Sequence, residues 1–233
     1  MQKRTIIIVS IIAGVVVLGG TAAIAGPIVY RDLIVGEAES VPTVTAAPSA
    51  TAGAATIDPA KLSGPWVVTD GSYAGYRVDE VLNGTDVTVV GRTEEVTGSL
   101  TVEDLTLTAA ELTVDVASIA TDQEPRDAYF RDTALRTSQF PEATFTLTEP
   151  VIAAATPVIG EVQTLTATGD LTIAGVIRSV TVELQAVLNE DSGQVAGSIP
   201  VTFADFGVEA PNLGFVSVEP DGFVEFSLVI APA

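Results

Sequence analysis

The chain of 233 residues has no cysteine and no histidine. Without cysteine there is no disulfide, no thiolate metal site, no cysteine nucleophile and no lipid-modified cysteine anchor. Without histidine there is no imidazole general base, no Ser-His pair and no imidazole metal ligand. Basic charge is scarce as well. Lys and Arg number 10 against 30 Asp and Glu, for a net charge of -20. Such a surface repels phosphate backbones and anionic headgroups, so nucleic acid is excluded as a partner, and the acidity reads as solubility outside the cell. Carboxylates, Lys, Tyr and Arg remain as chemical groups. Glu94-Glu95 and Glu190-Asp191 are adjacent acidic pairs, but neighbours on a strand point to opposite faces. Paired catalysis needs two carboxyls converging on one cleft. No catalytic residue, metal site or cofactor motif follows from the sequence. Oxygen ligands for calcium at "NEDSGQ" or "EPDG" have the simpler reading of turns.

What is present begins with an apolar run. "MQKR" precedes 26 residues, Thr5 to Tyr30, that carry no charge. As a helix they reach about 39 Å, against about 30 Å of bilayer hydrocarbon. Lys3 and Arg4 then stay cytoplasmic, which puts the rest outside. The expectation is a single-pass membrane anchor over residues 1–31. The alternative is a signal peptide cleaved near Ala25, with the domain secreted. Residues 32–60 are rich in Ala, Thr, Pro, Ser and Gly, a composition that buries too little apolar area to order itself. They are expected to form a disordered linker with an end-to-end distance of roughly 30 Å.

Residues 61–233 form the folded domain in this reading. From Trp66 onward the apolar residues recur with period two. Leu165, Ala167, Gly169, Leu171 and Ile173 share a face, as do Val180, Val182, Leu184, Ala186 and Leu188. That is the mark of antiparallel strands with one buried side. Turn signals are read at "NGTD" (83–86), "TGDL" (168–171), "NEDSGQ" (189–194) and "EPDGF" (219–223). The fold class is all-β, with about eight antiparallel strands in a barrel or sandwich; a barrel removes exposed edges. An eight-stranded barrel is just wide enough to be filled by side chains or to hold one small ligand.

One stretch breaks the alternation. "RDAYFRDTALR" (126–136) packs three Arg, two Asp, a Tyr and a Phe, and Pro141 follows. Pro125 suits a first helical turn, and Asp127–Arg131 and Asp132–Arg136 are spaced as i,i+4 pairs. The expectation is a short helical insert that closes one end of the barrel.

Five blocks, in this order, resemble the YceI-like family: "GPWVVTDGSYAGYRVDEV", "VVGRTEEVTGSLTVED", "VDVASIATDQEPRDAYFRDTALRTSQFPEATFTL", "TATGDLTIAGVIRSVTVEL" and "IPVTFADFGVEAP". The family's frequent Thr after "GV" is Ile177 here. The resemblance implies a lipocalin-like barrel whose interior holds a polyisoprenoid chain, and a binding module rather than an enzyme. It implies a polyisoprenoid or other long-chain lipid as partner, besides the membrane met by the N-terminal helix. The candidate lining residues are Tyr76, Val78, Leu112, Val114, Phe130, Phe145, Leu171, Ile173, Val182, Phe203 and Phe226. Arg126 and Arg131 are the candidates for a lipid headgroup. Two other readings stay open: a filled barrel serving as a surface-displayed interaction domain, and, less favoured, a carboxylate-dependent hydrolase.

Overall fold

The computed structural model describes residues 38–45, 57–153, 155–189 and 191–233. The expected membrane anchor over 1–31 lies outside these residues. Among the described residues no helix is long and apolar enough to cross a membrane.

Ten strands run antiparallel: β1 (Gly64–Leu82), β2 (Thr85–Thr93), β3 (Val96–Glu103), β4 (Thr106–Asp115), β5 (Glu142–Leu147), β6 (Val151–Ile152), β7 (Val162–Ile173), β8 (Val176–Leu188), β9 (Gly193–Thr202) and β10 (Val216–Pro232). Along the sheet the order is β10-β9-β8-β7-β5-β4-β3-β1-β2, and β1 also pairs with β10, which closes the cylinder. Because β2 and β3 follow one another along the same edge of β1, they act as one interrupted strand. The result is a closed eight-stranded barrel, as the period-two pattern implied. A helical turn, α1 (Pro59–Leu62), precedes β1, and the insert carries α2 (Glu124–Tyr129).

β1 is the spine. One edge meets β10 from Trp66 to Leu82. Its other edge meets β3 at Gly64–Val67 and β2 at Ala74–Leu82. The ladder with β10 shifts register between Thr69 and Tyr73, where Gly71 has φ +89°. The Ser72 hydroxyl fills the break: it donates to the Thr69 carbonyl at 2.7 Å and accepts from the Val229 N–H at 2.9 Å. A bulge of this kind sharpens the local twist and helps a sheet close on itself.

The two ends of the barrel differ. At the end where β1 begins, Leu62, Trp66, Leu100, Ala110, Leu228 and Ile230 form a buried cluster. The Trp66 indole N–H donates to the Leu62 carbonyl at 2.9 Å, which ties α1 across that end. At the other end the cylinder splays. β8 pairs with β9 only from Leu184 to Leu188, and β4 stops at Asp115. Chain from outside the strands fills both gaps. Phe206, in a 3-10 turn (Phe203–Phe206), is buried among Val182, Ile199 and Val201. Val116, Ile119 and Leu135 of the insert are buried with Ala174.

Two of the expected turns lie inside strands. Thr168–Leu171 is the middle of β7 and Glu219–Phe223 is part of β10. Glycine marks a close approach of neighbours at these places instead of a reversal. A Cβ on Gly169 would lie 2.4 Å from Phe145 Cζ, and one on Gly222 would lie 2.8 Å from Phe203 Cζ. The β7–β8 reversal falls at Ala174-Gly175, with φ values of +50° and +79°, and was not among the turn signals.

Candidate functional site

Two apolar cavities lie in series inside the barrel. The lower, of about 240 Å³, is walled by β3, β4, β5, β7, β8, β9 and β10 through residues such as Leu100, Leu112, Leu165, Leu184, Val195 and Leu228. The upper, of about 180 Å³, lies under the insert and is bordered by Tyr76, Val78, Ile119, Phe130, Ile173 and Phe203. Ala74, Val114, Ala143 and Val224 border both. These four small side chains mark where the two cavities adjoin. On β1 the lining runs from Trp66 to Glu80. At about 3.3 Å per residue and the usual barrel tilt, that is roughly 30–35 Å of axis.

Ring placement keeps this space open. Phe145 leans across Gly169, and Phe226 leans across Gly197, where a Cβ would lie 2.6 Å from its Cζ. Tyr76 does the same over Gly91, with 2.5 Å to its Cε1. Each glycine leaves a recess in the wall that takes the edge of a ring from a neighbouring strand. These three rings are thereby seated against the wall and contribute apolar surface to the cavities.

All eleven candidate lining residues border this space. Leu112, Phe145, Leu171, Val182 and Phe226 border the lower cavity, and Val114 borders both. Tyr76, Val78, Phe130, Ile173 and Phe203 border the upper one. The two arginines separate. Arg126 borders the upper cavity, whereas Arg131 is turned to Glu124 at 3.0 Å and borders neither.

The polar end of the upper cavity is built by the insert against β1. Glu80 points inward and is only 4% exposed. Arg126 reaches it at 3.1 Å and pairs with Asp122 at 2.8 Å. The expected Asp127–Arg131 pair does not form. Asp127 is buried and accepts from the Thr121 N–H at 2.9 Å and the Thr121 hydroxyl at 2.7 Å. That use of Asp127 fixes the start of the insert and leaves Arg131 to Glu124. Past α2 the backbone widens: the Leu135 N–H bonds to the Phe130 carbonyl at 3.0 Å, an i→i+5 turn. Phe130 stacks on Tyr76 with ring centroids 4.8 Å apart. Burial pushes the Tyr76 phenol well above its ordinary value; nearby Arg126 opposes the shift, and Asp127 and Glu80 add to it. The phenol is neutral at physiological pH, as befits a group in an apolar pocket.

A charged cluster sits on the opposite, outer side of the same strands. Glu225 is 1% exposed and meets Arg77 Nε at 2.5 Å. Arg77 also donates to the Glu39 carbonyl at 2.6 Å, and Arg92 donates to the Ser40 carbonyl at 2.9 Å and pairs with the Glu39 carboxylate. Glu39 and Ser40, expected as part of a free linker, thus contact the wall. Neither Glu80 nor Glu225 was singled out from the sequence. A lone acidic residue in a strand reads as surface until the pairing register shows which way it faces.

The model of the YceI-like domain matches residues 66–230. The chain belongs to the YceI-like family. Among solved structures, a polyisoprenoid binding domain from Saccharophagus degradans implicated in plant cell wall breakdown shares this YceI-like fold. It is 19% identical, with a TM-score of 0.60, over 72% of this chain and 98% of that one. BcnA of Burkholderia cenocepacia is 21% identical, with a TM-score of 0.54, over 74% and 98% of the two chains. A comparison with curated proteins found no match. In this YceI-like chain the residue after the "GV" turn, Ile177, is 58% exposed, so its departure from the family's usual Thr leaves the core intact.

Proposed function

We propose that the protein is an extracytoplasmic lipid-binding protein that holds a polyisoprenoid or similar long apolar chain in the barrel interior, as a carrier or reservoir. The observation that carries this reading is the pair of hydrocarbon-walled cavities in series, with Phe145, Phe226 and Tyr76 recessed over glycines in the wall. A lumen of roughly 30–35 Å is about twice the length of an ordinary acyl tail, since bilayer hydrocarbon of about 30 Å is two tails thick, and so suits a longer chain such as a polyisoprenoid. Membership of the YceI-like family and the fold shared with a structure described as a polyisoprenoid binding domain support the choice of ligand class.

The energetics favour a carrier or reservoir over an extractor. Burying hydrocarbon from water is worth about 0.8 kcal/mol per CH2. A lipid tail in a bilayer is already in apolar surroundings, so its transfer into the barrel gains little beyond contact. In this reading Arg126 is the group available to a polar head, and its bond to Glu80 holds it at the end of the lumen. The apolar run at Thr5–Tyr30 is the membrane anchor. The filled-barrel alternative has the two cavities against it, and the function needs no catalytic step.

The test is a titration of the delipidated protein with all-trans prenyl alcohols of increasing length. Affinity rises with each unit until the chain fills the lumen and then levels off. Ile173→Arg, which places a cation in the upper cavity, shortens the length at which affinity levels off. Affinity independent of chain length, or none for any prenol, contradicts the proposal.

A further inference from the structure

Three large apolar side chains stand exposed at the insert end of the barrel: Leu213 and Phe215 (each 57% exposed) and Ile177 (58%). Leu213 and Phe215 belong to the loop before β10, whose Ala210 and Pro211 border the upper cavity. That loop is held in place: the Asn83 N–H donates to the Phe215 carbonyl at 2.8 Å, and the Val218 N–H to the Pro211 carbonyl at 3.0 Å. Ile177 follows the Ala174-Gly175 turn, whose Ala174 packs with the insert. At the opposite end, Ile152 is the exposed large apolar residue among those described. Apolar side chains exposed at the mouth of a lipid-sized lumen mark a surface suited to a partner.

A second, separate observation says which partner. Ala38 and Glu39 border the same outer groove as Val87, Arg92, Thr121, Asp122 and Arg126, at the insert end. Glu39 and Ser40 are clamped there by Arg77 and Arg92 over the buried Glu225. Eight residues, 31–38, separate this clamp from the last residue of the uncharged run at Tyr30. At most about 32 Å of chain lies between them. Were the clamp absent, the first tie would be Ile57, whose N–H bonds to the Pro157 carbonyl at 3.2 Å. The leash would then reach about 90 Å.

From these two observations we propose that the insert end of the barrel docks on the bilayer through Leu213, Phe215 and Ile177, and that the clamp of Glu39-Ser40 on Arg77 and Arg92 holds it there. This rests on reading residues 5–30 as a retained anchor and places the mouth of the lumen at the source of its ligand. The partner is a zwitterionic lipid surface, because a net charge of -20 is repelled by an anionic one.

The absence of cysteine makes the test direct. The full chain is reconstituted in phosphatidylcholine vesicles with a donor dye on Leu213→Cys or, separately, on Glu103→Cys at the far end, and acceptors on the headgroups. Energy transfer from position 213 is expected to exceed that from 103 at least twofold. Phe215→Ser reduces it, and Glu39→Lys, an exposed change that does not threaten the barrel, brings the two positions towards equality. Equal transfer from both ends in the natural sequence, stronger transfer from 103, no response to Glu39→Lys, or failure to float with the vesicles each overturns the proposal. Bound lipid is counted in the same samples by solvent extraction. Lost orientation with lipid retained refutes the docking alone, whereas preserved orientation without lipid refutes the function proposed above.

Discussion

The ring of Phe226 lies across Gly197, the residue opposite it on β9, so closely that a single added methyl would stand 2.6 Å from Cζ. The same arrangement recurs with Phe145 over Gly169. A barrel with few aromatic residues could fill its centre with them or fold them into its wall, and this one folds them into its wall. The interior depends on those glycines as much as on the aliphatic residues around them.

Gly197→Ala is therefore expected to turn Phe226 into the lower cavity. Overpacking of this kind costs about 1–3 kcal/mol, visible as a lower urea midpoint. The larger effect falls on the lumen, with bound lipid per protein reduced several-fold. Adding Phe226→Leu to the same chain restores both stability and lipid. Unchanged lipid content in the single variant would show that the ring's position does not matter.

The buried Glu80 and its partner make a second prediction. Arg126→Gln leaves a carboxylate facing an apolar cavity with its charge-assisted bond removed, at a cost of about 1.5–3 kcal/mol. Glu80→Gln combined with Arg126→Gln costs less than Arg126→Gln alone, because no unpaired charge is left behind. A double-mutant cycle from chemical denaturation measures the coupling. If Arg126 also meets a polar head, its loss weakens binding of headgroup-bearing lipids more than that of plain hydrocarbons.

Tyr76 sets a pH dependence with a definite sign. Its phenol is raised above the ordinary value of about 10 by burial. The folded state thus keeps a proton that the unfolded chain gives up. The contribution is complete below pH 10 and declines as pH climbs above it towards the raised value. Tyr76→Phe removes this part of the alkaline decline, so the slope of unfolding free energy between about pH 10 and 11.5 becomes shallower. Parallel slopes for the two proteins would place Tyr76 in water.

Trp66 is the single tryptophan of the chain and borders the lower cavity. Emission from the protein therefore reports on that cavity alone. Loading the delipidated protein with a prenol shifts or intensifies this emission, and a lipid carrying a quencher at its tail extinguishes it. A ligand held outside the barrel leaves the spectrum unchanged.

The alternation of residues made the strands legible, and with them the nine cavity-bordering positions that lie on strands, because a buried face every second residue is a local property; Phe130 and Phe203 lie in helical turns outside that pattern. Hairpin chemistry was read well at Asn83-Gly84, where both residues have positive φ, and misread at Gly169 and Gly222. A glycine that makes room for a ring on another strand looks, in sequence, like a glycine that turns the chain. Arg126 and Arg131 looked equivalent until Asp127 was found engaged with Thr121. Glu39 and Ser40 belong to no sequence pattern; what holds them is Arg77 and Arg92, more than thirty residues away. Long-range ion pairs and ring-into-glycine contacts are set by register, which no single stretch of the sequence displays.

The most direct test of the central claim is solvent extraction of the full-length protein, purified from the cells that make it, with mass spectrometry of what it releases. The account predicts a prenyl compound close to one per protein, strongly reduced in Ile173→Arg at equal folded yield. A clean extract from the natural protein, or equal amounts of lipid from both, would contradict it.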